Sequence, residues 1–247
     1  MLMTFPANLI EGRLVRRYKR FLADVELAGG ETVTAHCANP GSMLGLAAPG
    51  SRVWLSRAAN PKRKLRFSWE LIEVDLGRGA TLVGINTLSP NGAVAAAIRG
   101  GLIPSLQGYA EMRREVAYAD NCRIDILLED PGRVPCYVEI KNVHLMRRAG
   151  LAEFPDSVTA RGAKHLKALA QMAASGARAV MVYFVQRGDA ETFTLAHDID
   201  PNYALAFAWA HAGGVEAIAV ASEVTLEGLK LPRAIPLLVP AEEKSGG

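Results

Sequence analysis

The sequence predicts two domains, a small closed β-barrel of the OB type followed by an α/β domain with a mixed sheet. Three observations point there. The first 86 residues read as short strands without a convincing helix, the remainder alternates helical and strand patterns, and charge divides between the two parts. Residues 1–86 hold 12 Lys/Arg against 7 Asp/Glu, whereas residues 87–247 hold 16 against 18. A basic first part with a mildly acidic remainder points to a polyanionic partner for the barrel.

The barrel elements follow in order. Ala23 to Leu27 and Thr32 to His36 flank Gly29-Gly30, a hairpin turn. Arg52 to Ser56 is a third short strand. From Leu65 the pattern alternates through Phe67, Trp69 and Leu71, then changes phase to Ile72, Val74 and Leu76. A phase change inside one strand predicts a bulge that bends it. Ala80 to Ile85 completes about five short strands, the shape of an OB-fold.

Ser89-Pro-Asn-Gly92 is a turn cluster, and the domains are taken as residues 1–86 and 87–247. Asn91 is read as the cap of an Ala-rich helix running to about Gly100. Strands follow around Arg114 to Tyr118, Arg123 to Leu128 and Cys136 to Lys141, the last two joined by a tight Asp130-Pro-Gly-Arg connection. Asp156 or Ser157 opens a helix that runs to about Ser175, with Leu166, Leu169, Ala170 and Ala173 on its apolar face. Gly162 inside that helix signals a close backbone approach. Arg178 to Gln186 is a continuous apolar strand of the kind buried on both faces. A helix at Tyr203 to Ala212 and a strand at Glu216 to Ala221 complete the α/β domain.

Composition removes several classes. With 247 residues, 50% of them hydrophobic, the chain has ample material for a core. Its three cysteines, Cys37, Cys122 and Cys136, form no C-x-x-C pair, which argues against a disulfide framework or a cysteine zinc site. The N-terminus lacks signal-peptide character, and no apolar run approaches the ~20 residues of a membrane span. The expectation is a soluble, cytoplasmic protein without a membrane partner.

Candidate residues fall into two groups. Arg16, Arg17, Lys19 and Arg20 surround Tyr18, and Lys62, Arg63, Lys64 and Arg66 form a second basic run. Such runs suit phosphates, because each neutralised phosphate releases a counterion; the alternative is a solvated strand edge. Tyr18, Phe67 and Trp69 read either as base-stacking platforms or as barrel core. His36 and Asn39 precede a Pro-Gly turn and fix the loop or serve the site.

The second group is Asp125 with Glu139 and Lys141. Alternation puts Glu139 and Lys141 on one face of their strand, and pairing with the preceding strand brings Asp125 beside Glu139. Two adjacent carboxylates repel, and a divalent cation with oxygen ligands, Mg²⁺ or Mn²⁺, resolves that repulsion. Such an ion would activate water against a phosphodiester, with Lys141 stabilising the developing charge. A solvated Glu/Lys pair is the plainer alternative. Glu115 is either a further acid or an exposed strand residue paired with an Arg. Arg161, Lys164 and His165 contact phosphate or form a wet helix face.

The series Arg114-Glu-Val-x-Tyr118, Arg123-Ile-Asp-Ile-Leu-Leu128, Val138-Glu-Ile-Lys141, Phe154-Pro-Asp156, Arg161-Gly-Ala-Lys-His165 and Phe184-Val-Gln-Arg187, with His36-Cys-Ala-Asn-Pro-Gly-Ser-Met43 before it, closely resembles the sugar fermentation stimulation protein A family. The resemblance runs from about Ile10 to Ala221. It implies an OB-like first domain and a second domain similar to PD-(D/E)XK, restriction-endonuclease-like nucleases. It further implies DNA binding without marked sequence preference and a regulatory link to maltose metabolism in bacteria. The nuclease superfamily's acidic ligands carry over to Asp125 and Glu139, its lysine to Lys141, and a backbone carbonyl ligand to Ile140; Arg123 belongs to the same motif. Cys122, Asn142, His144 and Ser157 depart from the family pattern without removing a ligand.

Three functions are then weighed. They are a DNA-binding protein with a Mg²⁺-dependent nuclease site, a non-catalytic DNA-binding regulator of sugar catabolism, and an oligosaccharide-binding barrel. Clustered Arg and Lys count against the last, since neutral sugars need no cations.

Overall fold

Alternating burial along short strands builds the first domain. The computed structural model describes residues 3–5, 8–119, 122–230 and 232–238; the polar tail Glu242 to Gly247 lies outside them. After the two-residue strand β1 (Met3–Thr4) come β2 (Ile10–Tyr18), β3 (Leu22–Leu27), β4 (Thr32–Cys37), β5 (Arg52–Arg57), β6 (Phe67–Asp75) and β7 (Ala80–Gly84). Five of them run in the order β4-β3-β2-β5-β6, and β4 closes the barrel by pairing in parallel with β6 at Ala35, His36 and Cys37. This is an OB barrel. Its closure depends on a bulge. Leu55 faces Trp69 while Trp54 faces Leu71, so Glu70 is the extra residue. Before Glu70, β6 pairs with β4; after it, the same edge pairs with β7. The phase change read from the sequence is this bulge.

Strand membership differs from expectation in two places. Ile10–Tyr18 is a central barrel strand that the basic run obscured, although its buried Gly12 and Leu14 alternate with exposed Glu11, Arg13 and Val15. Ala80–Gly84 is a sixth strand outside the closure. Trp69 is fully buried in the barrel core, and Phe67 is half-buried beneath the Arg57 guanidinium, 5.3 Å from its ring centre.

The second domain begins with α1 (Ser89–Arg99), then β8 (Glu111–Ala119), β9 (Cys122–Asp130), β10 (Arg133–Val143), β11 (Leu145–Arg148), β12 (Leu151–Phe154), α2 (Ala160–Ala174), β13 (Arg178–Val185), β14 (Thr192–Leu195), α3 (Pro201–Ala212) and β15 (Glu216–Ala221). Short strands β16 (Gly228–Leu229), β17 (Arg233–Ile235) and β18 (Leu237–Leu238) follow. The main sheet has the order β17-β15-β13-β10-β9-β8 and is mixed: β10, β13 and β15 are parallel, the outer pairings antiparallel. Val180, Val182 and Phe184 of β13 pack toward α1, while Met181, Tyr183 and Val185 pack toward α2 and α3. The continuous apolar run is thus buried on both faces. A small second sheet joins β11, β12, β14 and β18. Its four-residue members β11, β12 and β14 are too short for an alternating pattern to mark them in the sequence.

Two helix starts are corrected. Leu88 is the N-cap position of α1 and makes no side-chain cap; Asn91 lies inside the first turn and turns away from the helix. Helix α2 starts at Ala160, capped by Thr159, whose hydroxyl accepts from Gly162 N at 3.0 Å. Asp156 cannot open that helix because its carboxylate is engaged elsewhere. The close approach expected at Gly162 is present: a Cβ there would lie 2.9 Å from both Thr159 and Tyr203 of α3.

Directional polar bonds join the domains. Arg17 spans the loop after β4, donating to the carbonyls of Asn39 (2.9 Å), Gly41 (2.8 Å) and Ser42 (3.1 Å). Buried Asn39 holds the same loop to Ile85 O at 3.0 Å and to Gly41 N at 2.9 Å. The loop presents Met43 N to Asp156 at 2.8 Å, and Ser42 donates to the Asp156 carbonyl. Behind Asp156, His144 Nε2 stands 3.2 Å away, and fully buried Arg187 grips the His144 carbonyl at 3.1 Å. Gln186 bridges Asn86 O (3.0 Å) and Asn142 (2.7 Å), and its own carbonyl accepts from Gly84 N. At the far side β1 pairs antiparallel with β16. Among the described residues no helix is long and apolar enough to cross a membrane.

Asp156 gives this junction a pH dependence. Burial works to raise its pKa, but His144, Met43 N and Ser157 outweigh burial and hold it at about 2. The folded value lies below the unfolded one, so the contribution is present above pH ~4 and is lost as pH falls through ~2. It amounts to about 2 kcal/mol. Urea titrations across this range will show Asp156→Asn less stable by about that amount at pH 7 and with a flattened acid limb.

Candidate active site at the domain seam

Where β9 and β10 separate, side chains replace the ladder. The two strands pair through Cys136–Leu128, Tyr137–Leu127 and Val138–Ile126, after which β10 continues beside β13. The next backbone donor, Ile140 N, is taken by the Asp125 carboxylate at 2.7 Å. Asp125 therefore sits next to Glu139 because it completes the sheet. Both line a cleft of about 860 Å³ with Ile140, Lys141, Asn91, Glu115, Arg123, Arg161 and His165 from this domain, and Pro40, Thr87 and Leu88 from the barrel and linker.

Glu139 is only 2% exposed. Its Oε1 takes Lys141 Nζ at 2.8 Å and also meets His165 Nδ1, while Oε2 is buried without a partner. Arg161 Nε donates to His165 Nε2 at 3.2 Å, which leaves the proton of a neutral ring on Nδ1, donating to Glu139. Asn91 Nδ2 reaches Asp125 Oδ1 at 2.7 Å and Glu115 at 3.3 Å. The two acids are driven apart. Burial, then the Glu139 charge, pushes Asp125 up to about 6, against Ile140 N, Lys141 and Asn91. Burial pushes Glu139 up as well, but Lys141 and His165 outweigh it and hold its carboxyl below the ordinary value.

The other predicted residues divide. Arg161 and His165 point into the cleft rather than forming a wet helix face, whereas Lys164 is exposed on α2 outside it. Glu115 is exposed, with φ +54°, and faces Asn91; Arg123 donates to its carbonyl at 3.1 Å, so the Arg-paired reading of its carboxylate fails. Arg17 and Asn39 are structural, through the loop bonds above. Arg16 pairs with Asp24 at 2.9 Å and lies over the Tyr18 ring, whose hydroxyl also bonds Asp24, so Tyr18 is no open platform. Lys19, Arg20, Lys62, Arg63, Lys64 and Arg66 are exposed, with Arg63 reaching Ser68 at 3.1 Å. His36 is half-buried beside this group, paired with both Leu22 and Ser68; burial, then Arg63, lowers its pKa. Asn91 was missed as a site residue, since an Asn at a helix start reads as a cap.

The donor set discriminates among metals. Among the described residues no three His, Cys, Asp or Glu side chains converge as a ready-made cage. Two carboxylates and the Ile140 backbone fit a hard cation that keeps several of its waters, and the unpartnered Glu139 Oε2 is an acceptor such a cation would satisfy. Zinc, which favours histidine nitrogen and cysteine sulfur, fits less well, because the one imidazole here, His165, is engaged by Glu139 and Arg161 and no cysteine thiolate joins it among the described residues.

The raised Asp125 value has a stability consequence. Its folded pKa of about 6 lies above the unfolded value, so stability present below pH ~4 is lost as pH rises through 6. In metal-free buffer Asp125→Asn will gain up to about 3 kcal/mol on the parent between pH 4 and pH 8, whatever its offset at pH 4 from setting an amide NH2 against Ile140 N or Asn91. Urea unfolding in EDTA at both pH values checks this; the same difference between the two proteins at both pH values would show that the carboxylate is not strained.

Two family models match the chain, the sugar fermentation stimulation protein RE domain over residues 88–228 and the SfsA N-terminal OB domain over residues 15–85. A sugar fermentation stimulation protein homolog of Azorhizobium caulinodans is 56% identical over 236 residues, covering 96% of this chain and 100% of that one. One from Rhodospirillum centenum is 57% identical over 235 residues, 95% of this chain and 99% of that one. The structure of Pyrococcus furiosus SfsA in complex with Ca²⁺ superposes with a TM-score of 0.85 at 26% identity, covering 96% of this chain and 98% of that one. Two family models that together match most of the chain, and relatives 56–57% identical along nearly its whole length, mean that the chain belongs to the sugar fermentation stimulation protein family.

Proposed function

We propose that the protein is a DNA-binding, divalent-metal-dependent phosphodiesterase, a nuclease of PD-(D/E)XK type with little sequence preference. The observation that carries this reading is the cleft itself: Asp125 raised to about 6, Glu139 with a buried, unpartnered oxygen, and Lys141 at 2.8 Å from the other. Asp125, Glu139 and the Ile140 carbonyl would hold Mg²⁺ or Mn²⁺; the Ca²⁺ complex of the Pyrococcus relative supports a divalent ion. When bound, the ion supplies an activated water and neutralises charge on the phosphodiester. His165, donating to Glu139 and receiving Arg161, fixes the carboxylate. Lys141 would present its ammonium to the negative charge that builds on the phosphate oxygens. Arg123 and Arg161 at the cleft wall suit the flanking phosphates.

The barrel supports the DNA reading. The two basic runs include the β2–β3 and β5–β6 hairpins, the first and fourth connections that OB barrels use on oligonucleotides. His36 pairs with strands leading into both, so the hairpins share one end of the barrel. Backbone contacts from Lys and Arg carry no base readout, hence the lack of sequence preference. The three free cysteines are buried, consistent with work in the reducing cytoplasm.

Cleavage assays on DNA and RNA with Mg²⁺, Mn²⁺ or EDTA test the proposal. Cleavage will need the metal and will fall about 10²-fold or more in Lys141→Ala and Asp125→Asn, with binding retained. Salt-sensitive binding without cleavage of any substrate would favour the second reading, a non-catalytic DNA-binding regulator of sugar (maltose) catabolism, of which the name of the relatives supports the link to sugar fermentation.

A further inference from the structure

The tip of the β2–β3 hairpin is held in an unfavourable backbone. Tyr18 pairs with Leu22, leaving Lys19, Arg20 and Phe21 as the loop. Lys19 has φ +49° and Arg20 φ +62°, and Phe21 N donates to Lys19 O at 2.8 Å. Arg20 is thus the centre of a γ-turn of the rare, strained, positive-φ kind. Gly or Asn would hold both positions at little cost, whereas Lys and Arg strain there. Arg17 Nε holds the Arg20 carbonyl at 3.2 Å, a backbone contact that fixes the turn but does not call for a cationic side chain at either position. Both residues are exposed and neither head group enters an ion pair among the described residues; Phe21 beside them is 47% exposed. Strain kept without a packing return is a mark of a functional position.

Arg20 also lines a second cavity, of about 480 Å³, that adjoins the metal-site cleft; the two share Pro40, Thr87 and Asn142. Asp156 and His144 form its inner wall, and Val158, 71% exposed, belongs to its lining. An ionised Asp156 repels phosphate, so a nucleic-acid backbone keeps to the Arg20 side and offers its base to the cavity. A paired duplex presents no free base to a cavity between two domains; an unpaired strand does. Building on the nucleic-acid reading above, we infer that the protein takes a single-stranded segment of DNA, which passes Lys19 and Arg20, stacks a base on Phe21, and crosses the second cavity to reach Asp125 and Glu139.

The test is binding of the full chain, in EDTA, to labelled oligo-dT of about 16 nucleotides and to a duplex of equal length. The double variant Lys19→Asn/Arg20→Gly suits the turn better, so its melting temperature will be unchanged or higher. Its affinity for oligo-dT will nevertheless fall about tenfold, and the slope of log K against log salt will decrease by about 1.4, at about 0.7 per lost phosphate contact. Phe21→Ala will also weaken oligo-dT about tenfold, with the salt slope unchanged. Duplex affinity will move little in either. Unchanged oligo-dT binding, or equal losses on duplex and single strand, overturns the inference, as does tighter binding of oligo-U through the same residues. Because cleavage is not read, a protein that never cuts DNA can still show these effects. Cleavage with an indifferent hairpin tip would sink this inference alone.

Discussion

Glu139 carries an ionised carboxylate almost wholly buried along β10 at the floor of the cleft, and most of that charge has to be met from within the protein. Lys141 and His165 meet it at one oxygen, and Arg161 fixes the His165 ring so that its proton points the right way. The other oxygen meets no partner among the described residues. Asp125 cannot take up the same charge in the same space, so its own ionisation is postponed to near-neutral pH. Each of these side chains is placed by an element that exists for packing reasons, β9 and β10 by the sheet and α2 by its apolar face. The polar centre is therefore carried by a hydrophobic frame that would form without it.

The same economy governs the seam. Trp54, Leu71 and Leu82 of the barrel pack into the second domain's apolar core, and the loop after β4 adds Ser42 and Met43 N as directed donors to Asp156 that select one relative position. Hydrogen bonds fix direction where hydrophobic burial fixes only proximity. Because Pro40, Thr87 and Leu88 wall the cleft, that fixed position is part of the site's shape.

Much of this was legible before any coordinates. The bulge at Glu70 follows from a change of phase between Leu71 and Ile72, and the doubly buried β13 from an unbroken apolar run. The convergence of Asp125, Glu139 and Lys141 on one cleft follows from strand alternation, which is a local property. What escaped is what depends on a partner distant in sequence. Asn91 and Asp156 have the residue types and positions of helix caps, and only the neighbouring strand or the barrel loop decides that their side chains turn elsewhere. Arg17 reads as one cation in a basic run, yet three loop carbonyls claim it. His165 sits on the polar side of an amphipathic helix, and the pattern cannot say that this side faces a buried acid.

The pairing of β1 with β16 bears on how the chain is made. Met3 lies opposite Leu229, so β1 leaves the ribosome long before its partner does. Between them the barrel can close on itself, since all its ladders lie between Ile10 and Gly84. Synthesis at ~5–20 residues per second leaves the leading segment waiting on the order of ten seconds or more for its partner. Strand β1 is thus a late closure, added once the elements through β16 have been made, and its docking reports that they have arrived.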